Sequence, residues 1–324
     1  MTSKGILNKE FFTFGFIVII LIALISGGGF SNAVTSGMQL WIATIIPSMF
    51  PYFFISSLLS SLAITSKLSS KLSPLTIRLF NTNGSTGYAL VMSIISGYPM
   101  GAKTVADLKT AGLISDSEAV RASVFCSTSS PLFMISSVGG IMFNNTRFGI
   151  CLAIIHLSSA FILGFCYSFY KRKDAPLNNC FFNSVYTDNI FYNSVTSSIN
   201  SALFVGGIIT LFYVFTEVLI YLNLLQPLIL LAEQITKNHA LSKGFVLGIF
   251  ESTKGLKQIA SSGESFFSLP FASAICGFGG LSVILQSISF LKTAKIKTAP
   301  FYFGKILHAV LSFVLAIILN LFIY

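Results

Sequence analysis

The stretch 84-GSTGYALVMSIISGYPMGAKTVADLK-109 starts like a membrane helix and does not become one. Its apolar part, 84–98, is shorter than the roughly 20 residues a helix needs to cross a bilayer, and it runs directly into charged residues. Gly97, Pro99 and Gly101 prevent a continuous helix. Proline removes a backbone donor, and glycine costs about 1 kcal/mol against alanine in a helix interior. The segment therefore reads as re-entrant, dipping into the membrane and returning to the side it left. A second short apolar stretch, 241–250, has the same character and continues into 248-GIFESTKGLKQ-258.

The rest of the chain is composed for lipid. Of its 324 residues 54% are hydrophobic and 9% charged, and the mean hydropathy is +0.82. An average soluble domain carries roughly a quarter charged residues, so too few are present to coat a globular surface. This excludes a soluble enzyme, a secreted disulfide scaffold and a nucleic-acid binder, in spite of the net charge of +10. In a membrane protein, a basic excess records which loops stay in the cytoplasm. Runs such as 14-FGFIVIILIALI-25 lack the alternation of a porin strand, so the expected class is all-α and polytopic. The five cysteines form no C-x-x-C pair and read as free, mostly buried thiols.

Seven full crossings are expected, at 10–30, 36–63, 122–143, 148–170, 196–224, 268–291 and 301–324. Lys4 and Lys9 precede the first, which reads as an uncleaved signal anchor over 1–35. Placing the N-terminus inside puts Lys67, Lys71, Arg78, Lys103, Lys109, Arg121, the 171–173 cluster, Lys292, Lys295 and Lys297 in the cytoplasm. The outer side then receives few basic residues, and the C-terminus lies outside. The expected location is the bacterial cytoplasmic membrane. The same layout divides the chain into a first membrane repeat, 36–170, a cytoplasmic linker, 171–195, and a second repeat, 196–324. Three crossings and one returning segment make an odd count, so the second repeat is inverted, as in many secondary transporters.

Polar residues at the breaks carry the functional expectation. A helix restarting after Pro99 leaves unpaired N–H groups near Lys103, a seat for an anion, though a solvated cytoplasmic turn fits the same residues. In 126-CSTSSP-131, Pro131 frees a carbonyl near Ser127, and the hydroxyls of Ser127, Thr128 and Ser129 either satisfy it, pack closely or face a solute. Gly279 and Gly280 permit a break in the second half, with Gln286 offering a donor and an acceptor. Glu251 is expected to bind a coupling cation or proton, or to pair with Lys103 or Lys254; if its segment lies at the surface it is merely solvated. Glu217 reads as snorkelling to the interface. His156 and His308 read as packing residues, Ser115 to Glu118 as a capping box, and no metal or cofactor site is expected. No Walker, H-E-x-x-H or G-x-S-x-G motif is present, so no enzyme is expected.

The blocks 96-SGYPMGAKTVADLKTAGLIS-115, 125-FCSTSSPLFMISSVG-139, 247-LGIFESTKGLK-257 and 278-FGGLSVILQ-286 together resemble the YlbJ-type sporulation integral membrane proteins, within the nucleoside-recognition, or Gate, domain group. The resemblance implies a transporter-like role, with dipicolinate, a small aromatic dicarboxylate, as the model solute. Lys103 would then attract the carboxylate, Gly97, Tyr98, Pro99, Gly101 and the Ser127 to Pro131 break would shape the site with Gly279, Gly280 and Gln286, and Glu251 with Lys254 would couple or gate. A nucleoside or other polar solute, and a non-transporting scaffold for spore envelope assembly, are the competing readings.

Overall fold

The computed structural model describes residues 18, 21, 29–60, 64–172, 174, 176 and 189–323. The expected 10–30 span and N-terminal anchor, most of the 171–195 linker and Cys180 fall largely outside them. All regular structure among the described residues is helical. The chain runs α1 (Gly29–Leu40), a π-helical turn π1 (Trp41–Ile45), α2 (Ile46–Ser60) and α3 (Ile64–Phe80). A hairpin of α4 (Gly84–Ser96) and α5 (Met100–Thr110) follows, then α6 (Asp116–Phe125), a π-helix π2 (Phe133–Met142) and α7 (Thr146–Tyr167). After the linker come α8 (Ile190–Tyr221), α9 (Gln226–Thr236), a hairpin of α10 (His239–Phe250) and α11 (Ser252–Ser261), α12 (Ser268–Phe278), α13 (Gly280–Thr293) and α14 (Ala299–Ile323). The same order appears on both sides of the linker: a long helix, a shorter one, a hairpin, an interrupted helix and a final long helix.

Among the described residues, four helical stretches are long and apolar enough to cross a membrane: Thr146–Tyr167, Ile190–Tyr221, Ser268–Thr293 and Ala299–Phe322. They match four of the expected spans. The expected crossing at 122–143 is instead two helical pieces separated by an irregular stretch ending at Ser130. Pro131 has no N–H to extend a helix across that point, and the small polar residues before it do not drive one.

Both short apolar stretches are the first arms of hairpins whose second arms carry most of the charges, Lys243 being the exception in the second. In the second hairpin, Gly248 lies against Gly255 and Gly244 against Ile259, the antiparallel register of two helices in backbone contact. In the first, Gly101 sits against Ser93 and the Cys126 carbonyl, with no room for a side chain. Local caps set the starts. Asn83 accepts from Ser85 N at 3.1 Å, Asn145 from Phe148 N at 3.1 Å and Asn238 from Leu241 N at 3.0 Å. The Ser115/Glu118 capping box forms as expected. Glu118 is buried, and its second oxygen accepts from Asn83 N at 2.8 Å, so one carboxylate ties the starts of α4 and α6 together.

α14 shows which solvent the fold expects. Phe303, Ile306, Val310, Val314, Ile318 and Leu321 are exposed along one face, while Lys305, His308, Ser312 and Asn320 are buried on the other. Apolar side chains outward and polar ones inward at helical spacing is the pattern of a helix between lipid and a polar interior.

Candidate functional site

The two hairpin tips and the two helix interruptions meet around one cavity of about 120 Å³. Ser96, Gly97 and Tyr98 line it from the first hairpin, Ser129 and Ser130 from the first interruption, Glu251, Ser252 and Thr253 from the second hairpin, and Ser282 and Gln286 from α13. Tyr52 of α2 and Val205 and Ile209 of α8 complete the wall. Most of these residues stand at the beginnings of helical segments: before α5, before the turn leading to π2, in the first turn of α11 and in the first turn of α13. Each helix start carries about half a positive charge on unpaired N–H groups.

Local geometry brings the tips this close. Gly97 has φ +79° and lies against Ser130 N at a distance that leaves no space for a Cβ. Gly280, at φ +77°, is packed in the same way against Ser252 N and the carbonyls of Gly248 and Phe250. Each hairpin tip is therefore in backbone contact with an interrupted helix of its own half. Tyr98, whose bond to Pro99 is cis, comes near the edge of Gly279 across the cavity.

Glu251 is 2% exposed. It ends α10 and caps α11, its Oε2 accepting from Lys254 N at 2.6 Å. No cation pairs with its carboxylate among the described residues. The Lys254 ammonium turns away to Glu217 at 2.5 Å and Thr216 at 2.9 Å, so Lys254 reaches Glu251 through its backbone N–H and not through its charge. Glu217 is thus held in an ion pair and does not simply snorkel. Lys103, in the first turn of α5, donates to Asp107 at 2.9 Å and does not line the cavity. An ionisable group at membrane depth costs about 2.5–3.5 kcal/mol on insertion scales, which makes Glu251 the chemically pointed member of the wall.

Four polar atoms of the wall have no hydrogen-bond partner among the described residues: Ser96 Oγ, Ser282 Oγ, Gln286 Nε2 and Tyr98 Oη, the last facing the Ser129 and Ser252 side chains without a bond of good geometry. Buried groups of this kind are rarely left unpaired in a folded protein, because each costs about 1–3 kcal/mol. Here they share one space, in which a polar solute can pair with them.

A second, larger cavity of about 1090 Å³ shares Phe133, Ser137 and Thr253 with the first. Its wall includes Asn32, Gln39, Glu217, Lys254, Lys257 and Gln258. The two spaces abut at those three residues; the larger, which carries the charged side chains, is the vestibule and the smaller the chamber.

Behind the chamber, the interrupted stretch 127–129 is held by side chains from three other helices. Lys305 Nζ donates to Ser127 O at 3.1 Å, Thr128 N donates to Ser93 Oγ at 3.1 Å, and Ser129 N donates to His156 Nε2 at 2.8 Å. His308 Nε2 meets His156 O at 3.1 Å, and the two imidazoles lie 4.6 Å apart. The expectation that local hydroxyls satisfy the freed carbonyl is replaced by a lysine from α14. The histidines hold backbone groups, as expected of packing residues, yet the Nδ1 atom of each is unpartnered. Lys305 is absent from the sequence-derived site, although Lys305, His308, Ser312 and Asn320 fall at helical spacing within an apolar span. That polar stripe is the signal that locates it. No group of three or more His, Cys, Asp or Glu residues fit to hold a metal occurs among the described residues. Cys126 and Cys276 are buried free thiols, Cys151 is half-buried and Cys166 exposed.

Fold and site together define a polytopic helical membrane protein with a polar chamber at the meeting point of its helix breaks. The chain is similar to the sporulation integral membrane protein YlbJ of Bacillus subtilis (strain 168), at 29% identity over 313 residues, covering 89% of this chain and 77% of that protein. This supports the YlbJ-type resemblance carried by the sequence blocks. No family model matches the chain, and no solved structure matches it.

Proposed function

We propose that the protein is a secondary transporter of a small organic anion of the dipicolinate type, working in the bacterial cytoplasmic membrane with its N-terminus inside and C-terminus outside. The observation that carries this reading is the convergence of four unpartnered buried polar atoms and the Glu251 carboxylate on one chamber at the starts of four helical segments. Helix starts favour anionic groups, and transporters with inverted repeats use broken helices in this way. The matching order of elements in 36–170 and 196–324, with both hairpin tips at the chamber, supports an inverted repeat. Lys254 and Lys257 in the vestibule draw an anion inward, and a cation or proton at Glu251 offsets the carboxylate's repulsion as the solute enters.

A second reading, an uncharged polar solute such as a nucleoside, is favoured by the chamber wall itself, which contains no lysine or arginine among the described residues. The test is uptake by purified protein in liposomes, with labelled pyridine-2,6-dicarboxylate and uridine supplied under proton or sodium gradients. Saturable, gradient-driven dicarboxylate flux is the expected result. Uridine flux alone selects the second reading, and flux of neither under any gradient leaves the non-transporting scaffold.

A further inference from the structure

Among the described residues the chamber wall has no basic side chain, but a lysine stands directly behind it. Lys305 is 1% exposed, and no carboxylate pairs with it among the described residues. Its ammonium reaches the Ser127 carbonyl at 3.1 Å and lies 5.3 Å from the centroid of the Tyr98 ring, whose hydroxyl is one of the unpartnered atoms of the chamber. We propose that Lys305 is the positioning residue that makes the chamber selective for anions: it fixes the Ser127 to Ser129 break and places a positive charge behind Tyr98. This deepens the transport reading above and rests on it for the identity of the solute.

Two physical effects follow from that placement. A cation against the ring polarises the phenol, so the Tyr98 hydroxyl becomes a stronger donor toward an anion in the chamber. The charge also acts through the wall. At a separation of about 10 Å and an effective dielectric of about 20, a unit charge changes the local preference for an anion over a neutral molecule by roughly tenfold. Glu251 is the opposing charge in the chamber, and its bond to Lys254 N directs part of its field into the start of α11. His308, one turn from Lys305, contributes through Nε2 to the His156 carbonyl, so the two α14 residues brace the same interruption.

Thiol labelling tests the proposal without requiring transport. A Ser282→Cys variant places a thiol in the chamber, and its labelling rate is measured above the parent protein with negatively charged sulfonatoethyl and positively charged trimethylammonioethyl methanethiosulfonate. The negative reagent is expected to be favoured relative to the same pair of rates at a half-buried Gln258→Cys in the vestibule. Lys305→Gln keeps a donor for Ser127 O and removes the charge, and is expected to cut the preference about tenfold; Lys305→Arg is expected to restore it. An unchanged ratio in folded Lys305→Gln overturns the proposal. If that variant does not fold, a chamber that favours the positive reagent in the Lys305 background overturns it equally. In liposomes, Lys305→Gln is expected to raise KM for pyridine-2,6-dicarboxylate about tenfold with kcat held and the uridine KM within threefold; equal losses for both solutes assign Lys305 a merely structural role. Failure of wild-type transport would remove the solute assignment while the labelling ratio still decides the role of Lys305.

Discussion

The two hairpins solve the same backbone problem with opposite chemistry. In the first, the tip Gly97-Tyr98-Pro99 carries no charge, and the interruption beside it is held by Lys305, Ser93 and His156 reaching in from other helices. In the second, the tip residue itself is charged, and Glu251 caps the return arm with its own side chain. A tip that supplies its own cap needs little from its neighbours, whereas an uncharged tip leaves its half dependent on one donor and two acceptors far away in sequence. The difference teaches that the second hairpin holds the site's free carboxylate, and the first half holds a break whose shape is set by the last helix of the chain.

The largest expected effect tests the charge asymmetry. Glu251→Gln is expected to lower transport more than 100-fold, while the weakened cap costs about 1 kcal/mol of stability, measured as flux in liposomes beside thermal unfolding in detergent. Flux at wild-type level would move the functional charge out of the second hairpin. Next in size, Gly101→Ala drives a Cβ into the Cys126 carbonyl, and Gly255→Ala drives one into Gly248. Each is expected to lose about 3 kcal/mol in thermal or denaturant unfolding, whereas Gly207→Ala, which meets open space, changes stability by less than about 1 kcal/mol. Similar losses in both hairpins would show that tight apposition is common to them even though their tips differ.

His156→Ala leaves Ser129 N without its acceptor and is expected to cost about 1–3 kcal/mol, read by the same unfolding measurement. Dicarboxylate KM should rise with it, because Ser129 faces the chamber. The smallest effect lies at the surface of the first half. Lys109 holds the Asp116 carboxyl below its ordinary range by a hydrogen bond at 2.7 Å and by its charge. A lowered folded value means the contribution is present above the ordinary carboxylate range near pH 4 and is lost as pH falls through the lower folded value. Lys109→Ala should therefore lower stability slightly at neutral pH and leave it unchanged at acid pH, flattening the acid limb, and the loss is small because Asp116 is largely exposed.

Much of the architecture is legible in one dimension because its causes are local. Proline and glycine weaken helices, and where they cluster, at 97–101 and 279–280, or follow a run of small hydroxyl residues, at 126–131, they announce the breaks, although single prolines such as Pro51 and Pro74 are carried inside helices. Composition announces lipid, and Glu251 stands out because acids are scarce in such segments. The expected crossing at 122–143 is interrupted where its letters say it should be: the small hydroxyl residues before Pro131 break the helix, although their hydropathy still averages as a span. The sequence puts Lys103 and Lys254 beside Glu251 because they follow the breaks, but a helix turns successive side chains about its axis. The chain after each break carries their ammonium groups away, to Asp107 and to Glu217.

From the sequence alone came the solvent, the helical class, the places where helices stop and the identity of the one acid at a hairpin tip, because these depend on composition and on neighbours a few residues apart. The tertiary structure decided which breaks face each other and which side chains satisfy them. Lys305 and Ser127 are 178 residues apart, Ser129 and His156 are 27 apart, and Ser93 and Thr128 are 35 apart. Hydrogen bonds across such separations depend on how helices pack together, and no local preference in the chain encodes them.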